Sequence, residues 1–425
     1  KPTAPKYQDI LFIVLFVTYI LGVGVLFGIT FIISDPAPDP SPTYGDDSSS
    51  SDSSYFIYQL LWMNFVASMV AALFAGIWFC CAINRSKPLV KWTFILGIVL
   101  SIPITILLLL QSFICGVLSL MWSIVLIVVY ITRRNRMDFT SALLSSSTKL
   151  ALKYRAVIRV SIVAWFITIV WFVILITVME LISRSFDGIL FGFFFIYLVF
   201  AAYWMYNVIK NVVHTTVSGL FASWYFMDES GASMPEYPTL RSLNRAMTTS
   251  FGSICYGSLL ISIVDTLNVL SIQMSGSMNL IVRLLGCILH GLLYLLRNVL
   301  QLFNTYTFTQ VAIYGKSYCQ AAKDTVELFK RRQSELVTNQ IYVRTVIFVT
   351  CLVGGMIGGI IGHFVAVNGL HLSYGGLTAF ILTFCYIRIN LEVIYSGVVS
   401  MFVCYMIDPE TLGRNHPELY ALYTS

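Results

Sequence analysis

Long apolar runs alternate with short polar breaks along nearly the whole chain. A helix needs about 20 mostly apolar residues to cross the hydrocarbon core of a bilayer. Ten runs reach that length, at 10–33, 56–83, 92–111, 113–131, 156–182, 188–214, 251–273, 281–305, 341–366 and 372–406. The pattern predicts an all-α polytopic membrane protein of about ten transmembrane helices, forming one transmembrane domain over 1–425. Three breaks have a character of their own. Residues 34–54, "SDPAPDPSPTYGDDSSSSDSS", hold five aspartates and no basic residue, which reads as a flexible, solvated loop. Segments 132–155 and 315–340 are basic and amphipathic. The first is expected to lie in the membrane interface as it feeds the fifth span, and the second to rest against anionic headgroups.

Composition agrees with the pattern. The mean hydropathy is +0.82 and 11% of residues are charged, against about 25% in soluble domains. The net charge of +6 would suggest nucleic acid in a soluble protein. Here the basic residues sit in loops, so their distribution reports topology instead. With the N-terminus in the cytosol, twenty Lys and Arg fall in inside segments and two, Arg184 and Arg283, fall outside. Both termini are therefore expected in the cytosol. No cleavable signal peptide is apparent. The chain begins at Lys1 rather than Met, which suggests that a preceding segment has been trimmed. Nine cysteines include no CxxC pair, so neither a disulfide framework nor a zinc site is expected. Cys80 and Cys81 are expected to pack, with reversible acylation as the alternative.

Polar residues inside the runs are the candidates for function, because each is costly in hydrocarbon. In the sixth span Tyr203, Asn207, Asn211 and His214 recur at spacings of four, four and three, which places them on one helical face. Trp204 lies beside them. Lys210 lies off that face and is expected to snorkel, and a helix break is expected near Gly219. Asp265 and His290 fall at similar depth in the seventh and eighth spans and are expected to pair. Arg297 lies deeper, so a direct bond to Asp265 is expected to be strained. In the tenth span Arg388 and Glu392 are four apart, followed by Tyr395. The second span carries Trp62 and Asn64. Gly354, Gly358 and Gly362 in "GGMIGGIIG" are spaced for close helix packing rather than for a nucleotide. No nucleophile–base pair, P-loop or metal constellation is present, so an enzyme, a metal and a cofactor are not expected.

Four stretches carry a family resemblance. They are "VHTTVSGLFASWYF" (213–226), "PTLRSLNRAMTTSFGSICYGSLLISIVD" (238–265), "FNTYTFTQVAIYGKSYCQAAKDT" (303–325) and "IYSGVVSMFVCYMIDPE" (394–410). In this order they resemble the choline transporter-like family, most closely its fungal "pH nine sensitive" branch. The resemblance implies a ten-span plasma-membrane protein with both termini cytosolic. It also implies a transporter of choline or an ethanolamine-like cation, and the expected mechanism is alternating access through the helix bundle. Choline has no N–H donor, so a protein must hold it by aromatic faces and diffuse negative charge. Depth and spacing nominate Trp62, Tyr203, Trp204 and Tyr395 as faces and Asn64, Asn207 and Asn211 as polar partners. His214, Asp265, His290, Arg388 and Glu392 are the candidates for proton or charge coupling. Expected partners are the cation and membrane lipid, without nucleic acid; the sequence leaves oligomeric state open. A channel, or a structural or regulatory membrane protein that transports nothing, is the alternative.

Overall fold

The computed structural model describes residues 7–34, 48–111, 113–132, 136–227, 234, 236–367, 375–417 and 420–421. Its α-helices are α1 Ile10–Ser34, α2 Ser48–Asn84, α3 Ser86–Gln111, α4 Phe113–Thr132, α5 Arg136–Lys153, α6 Ala156–Ser185, α7 Gly188–Met227, α8 Pro238–Met247, α9 Phe251–Ser275, α10 Leu280–Tyr314, α11 Tyr318–Val365, α12 Gly375–Ile407 and α13 Pro409–Asn415. Helices dominate because a chain in lipid must satisfy its own backbone polar groups. Among the described residues nine helices are long and apolar enough to span a membrane, and α4 adds the shorter apolar stretch Ser119–Thr132. The protein is thus an all-α, multi-pass membrane protein. Of the aspartate-rich loop, 35–47 lies outside the described residues, while Ser48 onward already belongs to α2.

The helices sort into a centre and a rim. From Asn207 to Ser218 every residue of α7 is buried except Val212; α6, α8, α9, α10 and α12 pack around it. α11 packs along α12, and the glycine stripe explains how. A Cβ on Gly354 would strike Ile387 and Phe74, one on Gly358 would strike Thr383, and one on Gly362 would strike Ala379. The rim helices α1, α3 and α4 expose large apolar side chains, among them Leu21, Val25, Ile32, Leu110 and Ile131. In this protein that surface faces lipid.

Four local expectations change in three dimensions. α7 runs unbroken through Gly219 for 40 residues. The glycine is there because Ser242 of α8 lies where a Cβ would go, and the Ser242 hydroxyl donates to the Thr216 carbonyl at 2.7 Å. The basic segment after Tyr318 and the ninth span form one 48-residue helix, α11. α5 is packed into the bundle, with Ser141, Leu143, Leu144, Ser147, Thr148 and Ala151 buried. Cys80 and Cys81 are exposed at the end of α2 rather than packed.

One face of the bundle gathers both described ends of the chain. The Gln8 amide donates to the Thr249 carbonyl at 3.0 Å. Asp9 takes a left-handed backbone, φ 52°, which a short polar side chain tolerates. Its Oδ2 accepts from Ser253 Oγ at 2.6 Å and from the Tyr318 amide at 2.9 Å. The backbone of Gln8 and Asp9 lies so close to Gly252 that a Cβ there is excluded. At the same face Arg245 donates to the Ala312 carbonyl, and Tyr225 and Asn415 tie α7 to the end of α12 and to α13.

Candidate functional site

Four central helices bring polar side chains to one place at their mid-length. α7 supplies Asn207, Lys210, Asn211 and His214. α9 supplies Ser258 and Ser262, which are four apart and so share a face. α10 supplies Gln301, Asn304, Thr305 and Thr309 from one side, and α12 supplies Arg388, Glu392, Tyr395 and Ser396. Lys210, Asn211, His214, Gln301, Asn304, Thr305, Arg388, Glu392 and Tyr395, with the apolar Ile261, line a cavity. About 10 Å³ of it admits the centre of a water molecule, which is room for about one water.

Glu392 organises the charge. It is 2% exposed; its Oε2 is ion-paired with Arg388, and its Oε1 lies 3.4 Å from His214 Nδ1. The Ser396 hydroxyl is 2.7 Å from the same Nδ1 and 3.3 Å from Glu392 Oε1. His214 Nε2 faces the Thr305 carbonyl at 3.0 Å and Thr309 Oγ1 at 3.2 Å. A carbonyl oxygen only accepts, so Nε2 carries a proton. The Arg388 guanidinium also lies over the Tyr395 ring, 4.9 Å from its centroid, within cation–π range. Tyr395 OH is 3.4 Å from Thr305 Oγ1.

The asparagines of α7 are held by α9. Asn211 Nδ2 donates to Ser258 Oγ at 2.8 Å and Asn207 Nδ2 to Ser262 Oγ at 3.2 Å. Asn207 Oδ1 in turn accepts from Lys210 Nζ at 3.2 Å. Lys210 is 6% exposed, so it does not snorkel. Its helix is longer than the apolar run implied, and the position taken for a helix end lies at mid-bundle. Asn304 donates to the Gly257 carbonyl at 2.9 Å and accepts from Tyr318 OH. That bond links the cavity to the Asp9 face through Tyr318.

The other nominated residues lie elsewhere. Trp204 is buried in an aromatic cluster with Phe16, Tyr19 and Phe200 at centroid distances of 5.2, 5.5 and 5.4 Å. Its Nε1 donates to the Cys255 carbonyl at 3.2 Å. Tyr203 is half-buried, within electrostatic reach of Asp265 and Arg297. Asp265 is ion-paired directly with Arg297, against the expected strain, because the long Arg297 side chain spans the offset in depth between the two positions. His290 is instead next to Ser271, with Nδ1 3.5 Å from Oγ. Asn64 is buried and accepts from Tyr386 OH at 2.6 Å. Trp62 is 41% exposed and donates to Tyr58 OH. Neither lines the cavity. Ser258, Ser262, Gln301, Asn304, Thr305 and Ser396 escape the sequence reading because single hydroxyls and amides are common in membrane helices. Their signal was the shared helical face.

Comparison with known proteins agrees with this architecture. The family model described as plasma-membrane choline transporter matches residues 117–410. A CTL-like protein of Dictyostelium discoideum is 39% identical over 432 residues, covering all of this chain and 76% of the relative. Protein pns1 of Aspergillus fumigatus is 28% identical over 72% of this chain and 62% of its own length. Protein PNS1 of Saccharomyces cerevisiae is 28% identical over 52% of this chain and 44% of its own length. The chain thus spans less than two thirds of these two fungal relatives. The matched region holds α7 to α12 and with them every residue that lines the cavity. The chain belongs to the choline transporter-like family.

Proposed function

We propose that the protein carries a small organic cation of the choline type across the plasma membrane by alternating access through this cavity. One observation supports the choice of site above the rest: a buried carboxylate, Glu392, and an aromatic face, Tyr395, meet at the cavity, and the face already receives a cation, Arg388. A quaternary ammonium makes the same two contacts. Arg388 holds that corner in this structure and must yield it when a substrate binds. Asn211 and Thr305 are the polar groups placed to meet a substrate hydroxyl. Tyr395 rather than Trp204 takes the cation, since the Trp204 ring is enclosed by other aromatics. Glu392, Arg388 and His214 couple charge to transport at the centre; Asp265, paired with Arg297, and His290 act farther along α9 and α10. The face that gathers the described ends also carries Arg241, Arg245, Lys316, Lys323 and Arg414 and is assigned to the cytosol.

The test is uptake of radiolabelled choline by protein reconstituted in liposomes, with ethanolamine and a large quaternary ammonium as competitors. Saturable uptake, competed by both and lost in a folded Tyr395→Leu variant, is expected. Absence of uptake under every pH and voltage gradient, from folded protein, overturns the reading.

A further inference from the structure

One charge that lines the cavity has only a neutral hydrogen-bond partner among the described residues. Among the described residues Glu392 is the one carboxylate in the cavity lining, and it is already ion-paired with Arg388. Lys210 also lines the cavity; it lies within electrostatic reach of Glu392 and Asp265, but its one hydrogen bond among the described residues is to the neutral amide oxygen Asn207 Oδ1. An ammonium has three N–H donors, so two of them are left facing a cavity at mid-bundle. Asn207 has no second oxygen to offer, and its amide nitrogen is already committed to Ser262. Arg344 stands just behind the wall. It donates to Gln301 Oε1 at 2.5 Å and, at 3.5 Å, to the Asn298 carbonyl, both neutral acceptors. Asp265, the next carboxylate along α9, is taken by Arg297. Buried charges are normally paired, and an unpaired one is expensive.

We propose that the cavity binds a zwitterion, a choline-like ammonium that also carries a carboxylate, with Lys210 as the residue that receives the anionic group. The inference rests on the transport reading above and narrows its quaternary-ammonium substrate to one that also carries a carboxylate, in place of the bare cation. The ammonium lies in the Glu392–Tyr395 corner, and the carboxylate receives both Lys210, whose free donors it satisfies, and the Arg388 guanidinium that the ammonium displaces. Lys210 is then a selectivity residue. It attracts a carboxylate and repels a bare cation, so choline is bound against an opposing charge while a zwitterion is not.

The experiment uses glycine betaine as the probe, choline as its cationic counterpart and glycine betaine methyl ester as the analogue lacking the negative charge. Each is tested for thermal stabilisation of the purified protein and for competition with choline uptake. Glycine betaine is expected to stabilise the wild-type protein and to compete, and the ester to do so more weakly. In Lys210→Gln the affinity for glycine betaine falls about tenfold to a hundredfold, the loss expected for one charge-assisted hydrogen bond, while choline binding tightens. Lys210→Arg retains the preference for the zwitterion. If glycine betaine neither stabilises nor competes in the wild-type protein, the proposal is overturned without recourse to a variant. Parallel choline uptake then shows whether the transport reading survives. Equal weakening of both solutes by Lys210→Gln also overturns it, since that marks a structural lysine.

Discussion

Glu392 shows at the scale of one residue how a site is made inside a membrane. Its carboxylate receives Arg388 on one oxygen and the His214–Ser396 pair on the other, so three side chains from two helices depend on a single charge. Glu392→Gln leaves the shape and removes the charge, stranding Arg388 in the bundle. Breaking a buried pair from one side costs about 3–5 kcal/mol. The expected outcome is a clear fall in thermal unfolding temperature in detergent, with transport abolished. Adding Arg388→Met should restore most of the lost stability, because the stranded charge is gone, without restoring transport. If the double variant is as unstable as the single one, the pair is not what Glu392 contributes. The Arg388–Glu392 pairing was legible in the sequence, since residues four apart on a helix are neighbours. The meeting of Glu392 with His214 was not, because it depends on how α7 packs against α12. Depth along an axis also misled at Asp265, where the length and reach of the Arg297 side chain outweighed the offset in helical position.

At the scale of elements, hydropathy located the helices and the packing decided where they end. The ninth apolar run begins at 341 by hydropathy, yet α11 starts at Tyr318. Polar helix outside the bilayer leaves no mark in an apolar window. Gly219 read as a break and is instead a contact point between α7 and α8. Gly219→Ala is expected to lower the unfolding temperature, because the new methyl meets Ser242 Oγ. Ser242→Ala combined with it should recover part of the loss by removing that atom; no recovery would place the strain elsewhere. α13 offers a second test at this scale. Asp408 is its N-cap, accepting from the Thr411 amide at 3.2 Å and hydroxyl at 2.7 Å. These donors hold the Asp408 carboxyl below the usual carboxylate range. The folded-state pKa is depressed, so the cap's contribution is full above the ordinary value of about 4. It is lost as the pH falls through the lower folded value. Asp408→Ala should weaken α13 by about 1 kcal/mol, whereas Asp408→Asn should keep the cap and lose its pH dependence. Hydrogen exchange at Thr411 and Leu412 as a function of pH reads both.

For the whole molecule, the face that gathers the described ends is built as a unit. Asp9 joins α1 to α9 and α11, and the hydroxyl of Tyr318, beside that junction, reaches Asn304 in the cavity wall. If the protein works as the carrier proposed above, opening toward this face loosens these contacts, so the sidedness of the face bears on that proposal. The positive-inside rule predicts the cytosol for it, and the protein's own thiols test that prediction. Cys319 is exposed at the start of α11 on this face, whereas Cys255, Cys287, Cys351 and Cys404 are buried. A membrane-impermeant maleimide applied to intact cells should leave Cys319 unmodified, as read by peptide mapping, and should modify it once the cells are permeabilised. Asp187, in the turn between α6 and α7, belongs to the opposite face. An Asp187→Cys variant should therefore be modified in intact cells. Labelling of Cys319 in intact cells, with Asp187→Cys protected, would invert the bundle. The Asp9–Tyr318 contacts would then close the outer end of the pathway instead of the inner one.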